Sequence, residues 1–267
     1  MTKAKISATS CDVTSSFGPF QWTENVDNRL SLRFPREIIK EGIWSTLKPS
    51  SKAVYPCILK FVSKKKGLAF PSLRTLAIVS GVTEKTAGDG IKGLDELPGF
   101  EKNRYITNRG HTAYKYQIKE PPPDTDHTIW ISHEFINGGN WSLLNPTAKA
   151  IFPVLKHFSW WDGREYCDLE NLDSSMDYSD LSDLYPSREY DFMDADDEII
   201  CELSGITTRS LKEAYRSLSD RYFISSVKVM GRKLWKVHIK PSFIYKREYL
   251  NKHMIKRYGG TLQEKTT

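Results

Sequence analysis

The chain has 267 residues, of which 39% are hydrophobic and 12% aromatic, so it can form hydrophobic cores and is not expected to be disordered throughout. Its formal net charge of +6 at pH 7 favours polyanionic partners. The four cysteines form no C-x-x-C pair and have no histidines at zinc-finger spacing, so neither a disulfide framework nor a metal site is expected.

The amino-terminal residues are rich in Ser and Thr and contain no apolar run, which is not the pattern of a secretory signal. Residues 1–28 are interpreted as a flexible tail. Because no stretch of the sequence is long and apolar enough to span a bilayer, we expect no membrane partner and a cytoplasmic protein. Free cysteines fit a reducing compartment.

An internal repeat is the strongest signal in the sequence. Residues 33–61 align without a gap with residues 130–158, at an offset of 97, and 11 of the 29 positions are identical. Chance would give about two identities at average composition. Residues 76–94 resemble residues 200–218 at an offset of 124, so the second copy contains 27 additional residues. The chain is therefore predicted to contain two copies of one unit.

The domain boundaries are placed from this repeat and from the composition of the segments that flank its copies. The first copy is assigned to residues 29–119 and the second to residues 127–241. Between them, residues 120–126 contain three consecutive prolines, which are typical of a stiff linker. Residues 242–267 are predicted to form a basic C-terminal helix and tail, which either packs on its own domain, clamps the DNA backbone or pairs two subunits in a homodimer.

In the first copy, apolar spacing predicts a helix from Ser50 to Phe61, with a kink or an early break at Pro56 that Pro153 repeats in the second copy. Ser72 is the predicted N-cap of a short helix, Leu73 to Val79. Gly81 suits the left-handed turn that follows it.

Thr83 is the predicted N-cap of the next helix, which is expected to reach about Leu97. Two strands are then predicted, Phe100–Ile106 and Thr112–Ile118, around the turn Asn108-Arg109-Gly110. The second copy is predicted to end in the same way, with strands from Tyr222 to Val229 and from Lys233 to Ile239.

The segment L-A-I-V-S-G-V-T-E-K-T, which begins at Leu76, is preceded by F-P-S and followed by a predicted hairpin. It resembles the winged helix-turn-helix of bacterial regulators and of plasmid or phage replication proteins. The duplication resembles theta-type plasmid replication initiators, which carry two winged-helix domains. The resemblance implies an α+β, mainly α, fold of two tandem winged-helix domains that bind double-stranded DNA, in a bacterial protein associated with the nucleoid or a plasmid.

The residues expected to contact DNA lie on the outward face of each predicted recognition helix and on each predicted wing. Arg and Lys are the side chains that most often read guanine edges in the major groove. The predicted recognition helix of the second copy is the more basic of the two, because that of the first copy also carries Glu84 and Asp89. The first helix carries three glycines as well, which lower its stability. The first copy is therefore either a weaker reader of DNA or a packing unit. The candidates are Lys85, Thr86, Lys92, Arg104 and Arg109 in the first copy, and Thr208, Arg209, Lys212, Arg216, Arg232 and Lys233 in the second.

An acidic insertion interrupts the second copy. Residues 162–198 contain 14 acidic and two basic residues, a net charge of −12, which leaves +18 for the rest of the chain. Three interpretations remain open: a solvated loop, a segment whose aromatic residues dock a protein partner, or an intramolecular mimic of DNA that covers the basic face.

No phosphate-binding Gly loop, H-E-x-x-H or G-x-S-x-G motif occurs, and the six histidines are scattered. We therefore expect a non-enzymatic protein without cofactor. The favoured function is sequence-specific DNA binding by a replication initiator of a plasmid or other mobile element. The alternatives are a transcription regulator of the same architecture and a DNA-binding adaptor that docks partners through its acidic insertion.

Overall fold

The computed structural model describes residues 31–63, 66–106, 112–119, 121–122, 126–159, 190–193, 195–229 and 232–239. These residues form an α+β fold of short helices and small antiparallel sheets. The predictions for the N-terminal tail, Arg109, most of the acidic insertion and the C-terminal helix lie outside the described residues.

In the first copy, a strand and two single-turn helices precede a long helix, and a helix pair and a hairpin follow it. The elements are β1 Ser31–Pro35, α1 Glu37–Lys40, α2 Ile43–Thr46, α3 Pro49–Lys60, β2 Leu68–Ala69, α4 Leu73–Ser80, α5 Glu84–Lys92, β3 Phe100–Ile106 and β4 Thr112–Ile118.

The described residues of the second copy repeat this order element by element. Its elements are β5 Thr128–Ser132, α6 Glu134–Asn137, α7 Asn140–Leu143, α8 Pro146–Phe158, β6 Tyr190–Met193, α9 Asp197–Ser204, α10 Thr208–Ser219, β7 Ile224–Val229 and β8 Arg232–His238. The two three-stranded sheets also share one topology, β2-β4-β3 and β6-β8-β7.

Local side-chain chemistry sets the helix–turn–helix pair of the first copy as predicted. The Ser72 and Thr83 hydroxyls accept hydrogen bonds from the backbone N–H groups of Thr75 and Thr86, at 3.0 Å and 3.1 Å, and so cap α4 and α5. Gly81 ends α4 in the left-handed conformation with φ 70°. The predicted strands β3 and β4 are also confirmed at the residues expected.

Two expectations about helix ends are wrong: an early break at Pro56 and Pro153, and a helix α5 that reaches about Leu97. Helix α3 continues through Pro56 to Lys60, and α8 continues through Pro153 to Phe158. The proline removes one backbone hydrogen bond, but burial of the apolar residues beyond it offsets that loss. Helix α5 ends at Lys92 rather than near Leu97, because the chain turns at Gly93 and buries Leu94 and Leu97 from successive tight turns.

The two copies are joined by an antiparallel strand pair. Strand β1 pairs with β5, with Ser31 opposite Ser132 and Pro35 opposite Thr128. At the centre of the pair Arg33 lies opposite Trp130, its counterpart at the repeat offset, with its guanidinium 6.0 Å from the ring centroid.

Two buried tryptophans extend this contact into the core. The indole N–H of Trp44 donates to the carbonyl of Ala150 at 2.7 Å, and that of Trp141 donates to the carbonyl of Ala53 at 3.0 Å. Since 44 corresponds to 141 and 53 to 150, each copy makes the same contact on the other. One cluster of buried apolar residues accordingly runs through both copies.

The turn between the two helices of each helix–turn–helix pair also contacts the other copy. A Cβ placed on Gly81 would lie 1.9 Å from the backbone oxygen of Ser142, and one on Gly205 would lie 2.1 Å from that of Ser45. Each turn therefore lies directly against the short α7 or α2 helix of the other copy. Within the part of the chain that is described, no helix has the length and apolar character needed to cross a membrane.

Candidate nucleic-acid interface

Helix α10 separates its basic and apolar residues onto different faces. The spacing predicts that Leu211, Tyr215 and Leu218 face inward, and all three are buried in the core, as is Ala214. The predicted DNA-contacting residues on this helix are all exposed: Thr208, Arg209, Lys212 and Arg216. The three basic residues follow one another at intervals of three and four, so they form one stripe along the helix.

Helix α5 is a weaker version of the same element. Lys85 and Lys92 are exposed, as expected. Thr86 is only half-buried, and its hydroxyl lies 2.9 Å from that of Thr83, so it takes part in the N-cap of α5. At Gly88, which corresponds to Lys212, a Cβ would have no atom within 4 Å. The outward face of α5 thus presents less side chain and less charge than that of α10.

The other glycines of α5 have a packing role that the sequence did not reveal. A Cβ on Gly90 would lie 2.6 Å from the carbonyl oxygen of Ser50, and one on Gly93 would lie 2.4 Å from the Ser51 hydroxyl. The Ser51 hydroxyl donates to the Gly90 carbonyl at 2.8 Å. These two glycines therefore allow α5 to pack closely on the start of α3.

Both hairpins include predicted DNA-contacting residues. In the first copy Arg104 is exposed on β3, whereas Lys102 lies 3.8 Å from Asp95 and over the ring of Tyr114. Strand β8 of the second copy includes Arg232 and Lys233, which oppose Val229 and Lys228 in the pairing with β7. The structure thus places Arg104 in the first-copy hairpin and Arg232 and Lys233 in the second.

A groove beside α10 is a feature that sequence reasoning missed. It has a volume of about 690 Å³ and lies between α10, the start of α9, the end of β6 and β8. Lys212 and Arg216 line it together with Asp196 and Asp197. The remaining lining residues are Met193, Ala195, Thr208, Leu211, Tyr215, Ser219 and Trp235. Basic side chains of α10 and acidic side chains at the start of α9 therefore line the same groove.

The base of this groove is held by an aromatic pair. The rings of Tyr215 and Trp235 stack with centroids 4.5 Å apart, and the Tyr215 hydroxyl donates to the Asp197 carboxylate at 2.9 Å. Burial, and then the hydrogen bond to Asp197, raises the pKa of Tyr215 above its usual value. Asp197 thus holds α9 against α10, whereas Asp196 is exposed at the N-cap of α9, and its carboxylate accepts no capping hydrogen bond from the backbone of that helix.

The corresponding surface of the first copy has a different character. Ser72 stands in place of Asp196, and Arg74 in place of Glu198. Large apolar side chains are exposed on and near its hairpin, with Phe70 55% and Ile106 72% exposed. Phe70 contacts Tyr105 edge to face. Because Ser72 and Arg74 replace two acidic residues, the start of α4 is more compatible with a bound phosphate than the start of α9.

The described end of the acidic insertion belongs to the folded core. Residues 190–193 form β6, which pairs with β8. The carboxylate of Asp191 on this strand accepts a hydrogen bond from Lys156 Nζ at 2.9 Å, and both side chains are buried. A sequence signal for this was present, since Met193 stands 124 residues after Ala69 of β2.

Lys52 and Lys149 match in the repeat, and both are buried. The ammonium group of Lys52 donates to the backbone oxygen of Ser45 at 3.0 Å and to that of Ser204 at 2.9 Å. Burial lowers its pKa to about 8. Lys52 therefore anchors the end of α9, and with it the turn that leads into α10, to the first copy.

Among the described residues, no group of three or more His, Cys, Asp and Glu side chains is arranged to hold a metal ion. Comparison of the chain with protein-family models, with curated proteins and with solved structures finds no match.

Proposed function

We propose that the chain is a sequence-specific double-stranded DNA-binding protein whose two copies are winged-helix units. The observation that carries the proposal is α10, the second helix of a helix–turn–helix pair, with Arg209, Lys212 and Arg216 exposed in one stripe. Such a helix offers its outward residues to base edges in the major groove. The hairpin that follows is the element that reaches the backbone in winged-helix proteins.

The charges around α10 determine how the affinity for random DNA is expected to compare with the affinity for a specific sequence. Phosphate contacts dominate affinity and depend on salt, whereas base contacts determine sequence preference. Because Asp196 and Asp197 lie beside Lys212 and Arg216, this surface is less positive than its basic residues alone suggest. We therefore expect the second copy to bind random DNA weakly and a matched sequence much more tightly.

Arg209 supplies the test. A duplex is first selected from a random library with the full chain, and affinities are then measured by fluorescence anisotropy. Arg209→Ala should weaken binding to the selected duplex by about 5- to 150-fold, since a bidentate base contact is worth about 1–3 kcal/mol. Arg209→Lys keeps the charge but loses the bidentate geometry, so it should recover binding to random DNA more fully than binding to the selected duplex.

Lys40→Ala is the matched control, because it removes one exposed positive charge from α1, outside the helix–turn–helix pairs and hairpins. It should change affinity by less than about twofold at moderate salt. An equal loss on selected and random DNA for Arg209→Ala would reduce Arg209 to a phosphate contact. Failure of the library to yield any preferred sequence would refute the proposed function.

We extend the proposal to initiation of replication on a plasmid or other mobile element. The support is the resemblance in the segment that begins at Leu76 and the duplication of the unit. Transcriptional regulation is the alternative use of the same architecture. A plasmid that carries the selected sites and lacks any other origin should be maintained only when the chain is produced; loss of the plasmid alongside repression of an adjacent promoter would favour the regulator.

A further inference from the structure

Lys52 is a charged side chain in the core of the protein. It belongs to α3 of the first copy and is only 3% exposed. Its Nζ donates to the backbone oxygens of Ser45 and Ser204, at 3.0 Å and 2.9 Å. Among the described residues, no carboxylate forms an ion pair with it. The described partners of this buried charge are therefore carbonyl dipoles.

Both carbonyl groups lie near the C-terminal ends of helices. Ser45 belongs to the single turn of α2, and Ser204 is the last residue of α9. Carbonyl groups at such an end have no partner within the helix and carry a partial negative charge, which attracts an ammonium group. Lys52 therefore joins the end of a helix of the second copy to the end of a helix of its own copy.

The contact lies at the entrance to α10. Gly205 follows Ser204 with a φ of 65°, and α10 begins at Thr208. A Cβ on Gly205 would lie 2.1 Å from the Ser45 oxygen, which is the atom that accepts a hydrogen bond from Lys52. The turn that sets the direction of α10 is therefore held on the first copy by a hydrogen-bonded cation and by close backbone packing.

Stability alone does not account for a lysine at this position. Removing an ammonium group from water is costly, and burial accordingly lowers the pKa of Lys52 to about 8. An apolar side chain of similar volume often stabilises a buried site equally well. An apolar side chain cannot, however, make a directed link to two particular carbonyl groups. The ammonium group therefore supplies geometry at the start of α10.

We propose that Lys52 is a positioning residue for DNA recognition, which fixes α10 in the orientation that lets its basic stripe reach base edges; this rests on the proposed function. Side chains that read a ligand must be held within about 0.5 Å of the productive geometry. Packing on α8 holds the body of α10 on its own copy, and Lys52 fixes its start from the other. The sequence preference of the second copy therefore depends on a side chain of the first.

The full chain with Lys52→Met tests this inference, because Met keeps an apolar stem of similar length and lacks the donors. Urea unfolding shows whether the variant is folded, and anisotropy gives its affinities for the selected duplex and for random DNA. We expect binding to the selected duplex to weaken about tenfold, and binding to random DNA to change by less than about twofold. Partial unfolding would instead lower both affinities by the same factor.

Combination with Arg209→Ala separates positioning from an independent contribution. If Lys52 acts through α10, Lys52→Met should weaken binding to the selected duplex by less than about threefold once Arg209→Ala is present. Lys149→Met is the matched control, since it removes the buried lysine at the counterpart position of the repeat. It should weaken binding by the same factor with and without Arg209→Ala. Gly205→Ala disturbs the same turn by another route and should reproduce the pattern of Lys52→Met.

Four results would overturn this inference while leaving sequence-specific binding intact. These are unchanged affinity of Lys52→Met for the selected duplex, equal weakening on selected and random DNA, additive effects of Lys52→Met and Arg209→Ala, or failure of Lys52→Met to fold, which would make Lys52 a residue of the core alone. Failure of the library to yield any preferred sequence would instead overturn the proposed function, and the inference with it.

Discussion

The contact between each turn and the opposite copy can be tested at Gly81. An Ala side chain there would place its Cβ 1.9 Å from the Ser142 backbone oxygen and 2.7 Å from its carbonyl carbon. Because the atoms met are backbone, the two copies must separate by more than about 1 Å to reach ordinary contact distance. This overpacking should cost about 1–3 kcal/mol, in addition to about 1–2 kcal/mol for a left-handed Ala.

Gly42 is the matched control. Its φ of 72° is almost the same as the 70° of Gly81, but a Cβ there would have no atom within 4 Å. Gly42→Ala should therefore cost only the conformational part, about 1–2 kcal/mol. The difference between the two variants isolates the interface between the copies, and we expect Gly81→Ala to be the less stable by about 2 kcal/mol.

Urea unfolding, followed by tryptophan fluorescence, measures these differences as changes in the free energy of unfolding. Gly205→Ala should behave like Gly81→Ala, since its Cβ would lie 2.1 Å from the Ser45 oxygen. The double variant should lose less than the sum of the single losses, because separation of the copies relieves both clashes. Equal stability of Gly81→Ala and Gly42→Ala would refute the reasoning about the interface.

Four further predictions concern single side chains. Asp196→Asn should raise DNA affinity by about fivefold at low salt, because a negative charge beside Lys212 and Arg216 is removed; in an anisotropy titration, unchanged affinity would place the groove away from DNA. Gly88→Ala should raise the free energy of unfolding by about 1 kcal/mol, whereas Gly90→Ala should lower it because its Cβ would meet Ser50; urea melts that gave the same sign for both would contradict this. The pKa of His157 is lowered to about 4 by burial and by Arg36 and Lys40, so its contribution to stability is present above pH 6.5 and is lost as the pH falls toward 4. Wild-type protein should accordingly lose about 2–3 kcal/mol more than His157→Gln between pH 7 and about pH 4.5, and parallel pH profiles would disprove it. Lys156→Met should destabilise the fold by about 3–5 kcal/mol, because it leaves the Asp191 carboxylate buried without its cation; Lys156→Met with Asp191→Leu should recover much of the loss in the same melts, and no recovery would argue against a direct pair.

The sequence predicted those features that depend on neighbours along the chain. The caps at Ser72 and Thr83, the left-handed turn at Gly81 and the strands β3 and β4 all follow from local chemistry, because a hydroxyl or a glycine acts within a few residues. The amphipathic spacing of α10 likewise identified which residues are buried and which are exposed. The repeat predicted that both copies would have the same elements.

The tertiary structure alone decided how the copies meet and what surrounds the basic helix. Trp44 donates to Ala150 and Lys52 to Ser204, each more than 100 residues away, and no periodicity specifies such pairs. The same holds for Asp196 beside Lys212, and for Asp191, whose acidic surroundings in the sequence concealed a buried ion pair. Continuation of α3 past Pro56 was decided in the same way, because burial of the following turn outweighed one lost backbone hydrogen bond. Local propensity fixes elements over a few residues, whereas contacts between distant segments depend on which faces are buried together in the folded chain.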